Sequence, residues 1–250
     1  MWGNMQDPTR IDSALDALRA AWEGQPELNL VTLFEIARNR GAGWNANDED
    51  VTRILREMAR VHPPQLPLTP ERAIQAHERW LAVTEEPKQR VTLDTSGVIV
   101  RAQRDDGSLR QAVSWDYSAI RPTGPGRPLV VADTAGNEHR LGIVRYFALL
   151  ADADLNDLSG ISRRGLGERV YLVRGKDADG WDVTVLIDHG LHVTTKHNRA
   201  LEQIDYAWER IEKCRPGAEL AVQLPGGRSI ELCTVTEIRL AESESQLDVF

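Results

Sequence analysis

The stretch Arg90–Gln103, RVTLDTSGVIVRAQ, decides the fold. Here the apolar pattern of the chain stops recurring every 3.6 residues and breaks into short β-branched runs, Val91 to Asp94 and Val98 to Gln103, which read as strands. Downstream the same grammar continues. Asp105-Asp106-Gly107-Ser108 has hairpin-turn composition and returns the chain through Leu109 to Trp115. Pro122 to Gly126 is a loop. Pro128 to Asp133 and Glu138 to Val144 flank a second turn at Ala135-Gly136-Asn137, and a short helix is expected over Tyr146 to Ala153.

A polar connection, Asp152 to Gly167, leads into a further β unit. Strands are expected at Glu168–Arg174 and Trp181–Asp188, joined by an Asp177-Ala178-Asp179-Gly180 turn, and at Leu191–Lys196. After Asn198, the residues Leu201, Ile204, Trp208 and Ile211 fall at helical spacing, so a helix is expected there. Ala218–Leu224 and Arg228–Leu240 close the unit as a hairpin around Pro225-Gly226-Gly227, and no internal repeat stands out.

Upstream the period is helical. Ile11, Leu15, Leu18 and Trp22 lie on one face of a first helix, which Gly24 and Pro26 stop. Asn29 can cap a second helix that carries Leu30, Leu33, Phe34 and Ala37, with Gly41 and Gly43 at its end. A third helix follows Asn47, opens with acidic residues that suit the positive end of its dipole, and carries Val51, Ile54, Leu55 and Met58. His62-Pro63-Pro64 ends it, and Thr69-Pro70 reads as the start of a fourth helix with Ile74, His77, Trp80 and Leu81.

Within this helical part, Trp22, the elbow Pro26-Glu27-Leu28-Asn29-Leu30, then Phe34, Ala37, Gly41, Asp48 and Asp50 form an unusual spacing. On those residues, 11–58 resembles the YihD family of short bacterial proteins. The resemblance implies a helical module. It implies no chemistry, because that family has no established activity and no catalytic residues to carry over.

The sequence thus reads as α+β: a small helical domain over 1–87, a β-rich unit over 90–150, an α+β unit over 165–240 ordered as three strands, helix, two strands, and an acidic tail over 241–250. The β part is expected to be antiparallel sheet with one or two packed helices.

Charge and composition restrict function. The 250 residues carry a net charge of −8, which disfavours bulk neutralisation of phosphate backbones. Two cysteines, Cys214 and Cys233, are no secreted disulfide framework and read as reduced thiols. No run is long and apolar enough for a membrane span, so the expected location is the cytoplasm, without membrane contact.

The candidate ligand cluster is Asp188, His189, His192 and His197, residue types that suit a transition metal. Three apart in a straight strand, His189 and His192 would face opposite sides and converge only across a tight turn. Arg53, Arg56 and Arg60 make one basic stripe on the third helix, the residues a nucleic acid would touch. Trp44, Trp115 and Tyr117 are candidates for an aromatic contact surface. Asp177 to Gly180 is too short for a calcium loop. The glycines at 124–126 and 165–167 do not form a phosphate cradle, although Arg163 and Arg164 stand beside the second set. Asp152, Asp154 and Asp157 read as solvated carboxylates.

No catalytic residue and no cofactor can be named. The leading expectation is a non-catalytic protein-interaction or regulatory module that binds a protein partner or itself. The alternatives are a metal-dependent enzyme built on residues 188–197 and a DNA-binding regulator acting through the N-terminal helices.

Overall fold

The computed structural model describes residues 8–104, 111–151, 156–197 and 201–243. The chain divides into two compact units, which meet in sequence between Leu150 and Ala151. Three helices come first: α1 (Thr9–Glu23), α2 (Leu30–Asn39) and α3 (Asp48–Val61). Their caps follow from the sequence. The Asn29 side chain accepts a hydrogen bond from Thr32 N at 2.8 Å, and Asn47 accepts one from Asp50 N at 2.8 Å. Each satisfies a backbone donor that the helix cannot. Gly41, at φ 105°, takes the left-handed turn that ends α2. Gly24 serves a different need: a Cβ there would stand 1.8 Å from the His62 carbonyl oxygen, so only glycine lets the end of α1 meet the end of α3.

The rest of the first unit is strand: β1 (Trp80–Glu85), β2 (Gln89–Asp94), β3 (Gly97–Ala102), β4 (Val113–Trp115), β5 (Tyr117–Ile120), β6 (Pro128–Asp133) and β7 (Glu138–Leu149). All pairings are antiparallel, in the order β4-β3-β2-β1-β7-β6-β5. The two outermost strands, β4 and β5, are separated in the chain by Asp116 alone. The sheet must therefore curl until β4 and β5 adjoin at Asp116, a barrel-like roll of an up-and-down meander with no ladder between those two strands among the described residues. One core on the inner face confirms the roll, since Val98 and Val100 of β3 share it with Ile120 of β5 and Val131 of β6. Leu66 and Ile74, from the segment ahead of β1, plug the same core. On the outer face Leu81, Ala148 and Leu150 pack together beside Tyr146. The Phe147 carbonyl lies 2.6 Å from His62 Nδ1 at the end of α3.

The second unit holds β8 (Val170–Lys176), β9 (Asp182–Ile187), β10 (Leu191–Lys196), β11 (Leu201–Tyr206), β12 (Arg210–Lys213), β13 (Glu219–Gln223) and β14 (Ser229–Glu242). Its order, β11-β10-β9-β8-β14-β13-β12, is that of the first unit strand for strand. The correspondence extends to single residues. Gly126 N donates to the Val144 carbonyl at 2.8 Å, and Gly217 N donates to that of Val235 at 2.8 Å, both residues shifted by 91. Val144 N donates to the Arg127 carbonyl, as Val235 N does to that of Ala218. The β1–β7 ladder skips Arg145 in a bulge, and the β8–β14 ladder skips Thr236, again 91 residues on. Core positions match likewise: Trp80 with Tyr171, Val131 with Val222, Leu149 with Leu240. Leu66 N donates to the Thr123 carbonyl, and Leu158 N to that of Cys214. The chain thus contains one β module built twice.

These findings correct the α+β expectation of a helical domain followed by β sheet with one or two packed helices. The protein is mostly β, with two seven-stranded antiparallel sheets and three short helices among the described residues. The fourth helix does not form. Arg72 and His77 adopt φ of 63° and 68°, and Leu68 bridges Ile74 across a tight loop that delivers Ile74 to the barrel core. Trp80 and Leu81, placed in that helix by spacing, begin β1. The boundary expected between the 1–87 and 90–150 parts falls at the β1–β2 turn, and the helices share a compact unit with the first barrel. No helix forms at Tyr146, because β7 runs on to Leu149 against β1. Leu201 and Ile204 lie in β11, paired residue by residue with β10, and both are exposed. Tertiary pairing overrides the helical spacing there. β14 extends into the expected tail, with Ala241 and Glu242 buried. The turn at 105–108, Asp152, Asp154, the cap at Asn198 and positions 244–250 lie outside the described residues.

Candidate functional site

Among the described residues, the helical bundle leaves a face open that its sequence marks as core. α1 packs on α3 through its small residues: Ala17 and Ala21 are buried with Leu55 and Met58 of α3 and with Leu33 and Ala37 of α2. Among the large apolar residues of α1, Leu18 packs partly against that core, while the others point elsewhere. Ile11 is 53% exposed, Leu15 52% and Trp22 38%. Leu15 and Trp22, with Leu18 and Pro26, line a groove of about 420 Å³, bordered by Arg19 and Glu23. The elbow after α1 is fixed by Trp22 itself, whose Nε1–H donates to the Leu28 carbonyl at 2.7 Å. Anchoring the indole through its polar edge holds its apolar body at the rim of the groove. Arg145 of β7 pairs with Glu27 in the same elbow and ties it to the first barrel.

The tight turn between β9 and β10 brings part of the His/Asp cluster together. Asp188 N donates to the Gly190 carbonyl, and Gly190 N donates to Asp188 Oδ1 at 2.7 Å. Buried Trp208 clamps the turn, donating from Nε1 to the carbonyls of Asp188 and Gly190 at 2.9 and 3.1 Å. His192 then sits between two carboxylates, Nε2 at 3.3 Å from Asp188 Oδ1 and Nδ1 at 2.8 Å from Asp205 Oδ1. The hydrogen bond that the imidazole donates to Asp188 is the main cause that lifts it to about 8, against the cost of burial and with help from Asp205. His189 is exposed and outside this group. His197 stands apart, 3.4 Å from Glu202 and edge-on to Trp181. Both ring nitrogens of His192 therefore face carboxylates, and among the described residues no group of three or more His, Cys, Asp or Glu is arranged to hold a metal ion. Asp205 was not legible as a member, since it reaches His192 only because β11 is a strand paired across from β10. The first module places Ile99 and Ser114 at the matching positions, so the fold does not require the His192–Asp205 pair.

The other candidates have local partners. Arg53 contacts Asp50, Arg56 donates to Ser13 Oγ at 2.7 Å, and Arg60 makes two bonds to Glu57 at 2.9 and 2.6 Å. The basic stripe is thus largely matched by its own surroundings. Trp44 is fully exposed in the loop before α3. Trp115 and Tyr117 are half-buried against the first barrel core, with Tyr117 Oη accepting from Ile74 N at 3.0 Å. The three aromatics do not share one role: Trp44 faces solvent, Tyr117 holds the Ile74 plug, and Trp115 packs on the barrel core beside His139. Asp157 anchors a turn through Ser159 N, and Gly165 N is held by Ser162 Oγ. Cys214 and Cys233 are buried free thiols, both pushed up to about 12 by desolvation.

No protein-family model matches this chain. No curated protein matches it either. Among solved structures the chain is similar to the mouse laminin alpha1 chain, domains LG4-5, at 9% identity, over 73% of this chain and 81% of that one, with a TM-score of 0.16. A likeness at that level carries no argument. No helix among the described residues is long and apolar enough to cross a membrane.

Proposed function

We propose that this protein is a non-catalytic interaction module that engages a protein surface through the exposed face of α1. The observation that carries the reading is the inversion of α1: alanines fill its buried side while Ile11, Leu15 and Trp22 stand in solvent. Leaving large apolar side chains exposed on a helix with small residues buried forgoes about 1.5–3 kcal/mol for each side chain that burial would stabilise. A contiguous apolar stripe rimmed by charge is the common form of a docking surface. The first barrel then acts as a support, joined to the elbow by the Arg145–Glu27 pair.

The test is site-specific photocrosslinking in living cells that express the full chain. A photoreactive phenylalanine replaces Leu15 or Trp22, with Arg228 in the β13–β14 turn as control. The expectation is a discrete adduct from the α1 positions and none from position 228. Equal, diffuse labelling at all three positions, or none at the α1 positions, would sink the reading.

A further inference from the structure

We infer that the occupant of the α1 face is a second copy of this chain, packed antiparallel through α1; this rests on the docking reading above. The stripe Ile11, Leu15, Leu18, Trp22 has gaps of four, three and four residues, so it reads the same in both directions. A two-fold axis at its centre sets Ile11 against Trp22 of the other copy and Leu15 against Leu18, which fills every position with an apolar partner. Isologous contact of this kind is how most homodimers close.

Charge selects the antiparallel direction. At 100° per residue, Asp12 and Arg19 flank the stripe on the same side, away from the Ala17–Ala21 face that packs on α3. Antiparallel helices bring equivalent flanks together, so Arg19 of each copy meets Asp12 of the other, giving two symmetric pairs. A parallel two-fold pair would instead turn this flank toward the opposite one, the side of Ala17 and Ala21, and leave both charges unmatched. Arg19 is exposed and within 3.4 Å of Asp16, a loose contact that leaves it able to reach across.

Area sets the strength. The exposed parts of Ile11, Leu15 and Trp22 amount to roughly 300 Å² per copy, against about 800 Å² per partner in a standard stable interface. The dimer is therefore weak and reversible, in the micromolar range or above, with the charge pairs deciding geometry more than affinity.

Sedimentation equilibrium of the full chain over a wide concentration range tests this. The expected result is a monomer–dimer equilibrium that Leu15→Glu abolishes. Asp12→Arg alone and Arg19→Asp alone should each weaken it by about tenfold or more, because each sets like charges together. Asp12→Arg combined with Arg19→Asp should restore it. Circular dichroism of each variant confirms that the helices remain folded. A strictly monomeric protein overturns the proposal, as does a dimer that ignores Leu15→Glu or a double swap no better than the single ones. If the protein is monomeric yet crosslinks from position 15 to a chain of different mass, the docking reading stands and the self-pairing falls.

Discussion

Three glycines separate two physical costs that are usually measured together. Gly136 has φ 85° with nothing within 4 Å of an added Cβ, so Gly136→Ala pays for the left-handed backbone alone. Gly175 has no such φ, but a Cβ there would lie 2.5 Å from the Thr234 carbonyl oxygen and 2.6 Å from Cys233 Sγ, so Gly175→Ala tests crowding alone. Gly142 combines both: φ is 91°, and its Cβ would stand 2.6 Å from the Glu85 oxygen, 2.7 Å from that of Pro87 and 2.9 Å from Thr84 Oγ1. The backbone cost is about 1–2 kcal/mol. Overpacking against fixed backbone adds about 1–3 kcal/mol. Gly136→Ala should therefore lose about 1 kcal/mol, Gly175→Ala about 1–3, and Gly142→Ala about 2–5. Hydrogen–deuterium exchange under native conditions, read on the peptides of β7 and β14, measures each barrel separately and avoids assuming one transition for two units. A Gly142→Ala loss no larger than that of Gly136→Ala would refute the reasoning. It would mean that the β1–β2 turn yields freely to β7.

Two further outcomes follow from the second barrel. His192 titrates near 8 in the folded chain and near its ordinary 6.5 when unfolded, so its contribution to stability is complete below about 6.5 and is lost as the pH rises through about 8. Its carboxylate partner Asp205 is largely exposed, so solvent screening reduces the effect to about 1 kcal/mol. A pH series of urea melts should show that loss in the native chain and not in His192→Gln, and an NMR titration of the imidazole below 7 would contradict the geometry. Cys214 and Cys233 should resist alkylation in the native protein at pH 8 and react together on unfolding; rapid modification of either in the folded state would be inconsistent with burial in the barrel core.

What could be read from the sequence was local. The capping asparagines and the apolar residues of α3 specify three helices near their observed limits, and Asp177 to Gly180 forms its turn with Gly180 N on the Asp177 carbonyl. What could not be read depends on distant pairing. Leu201, Ile204, Trp208 and Ile211 have helical spacing, yet Trp208 reaches the core from the connection after β11 and Ile211 from β12, while Leu201 and Ile204 face out. The α1 stripe has the spacing of a buried face, and periodicity reports only that such a face exists, not whether the same chain covers it. The duplication is hidden because the cores exchange Trp80 for Tyr171 and Phe147 for Ile238, which conserve apolar bulk and not identity. Turn lengths also differ: Asp94 and Asp188, each accepting backbone N–H bonds in its β-turn, are 94 residues apart while the later strands keep a spacing of 91. Of the His/Asp cluster, Asp188 and His192 were legible and Asp205 was not, for the same reason as β11.

The meander that forms each barrel-like roll also governs how such a module can be handled. Its first and last strands are hydrogen-bonded neighbours, with Trp80 opposite Leu149 and Tyr171 opposite Leu240, so the chain leaves each ring beside the point where it came in. A unit with adjoining ends can be copied in series, or spliced into a host loop, without stretching its own backbone. The whole second barrel is thus a natural cassette for transplantation, and a graft of residues 158–242 into an unrelated surface turn should keep its ladder intact.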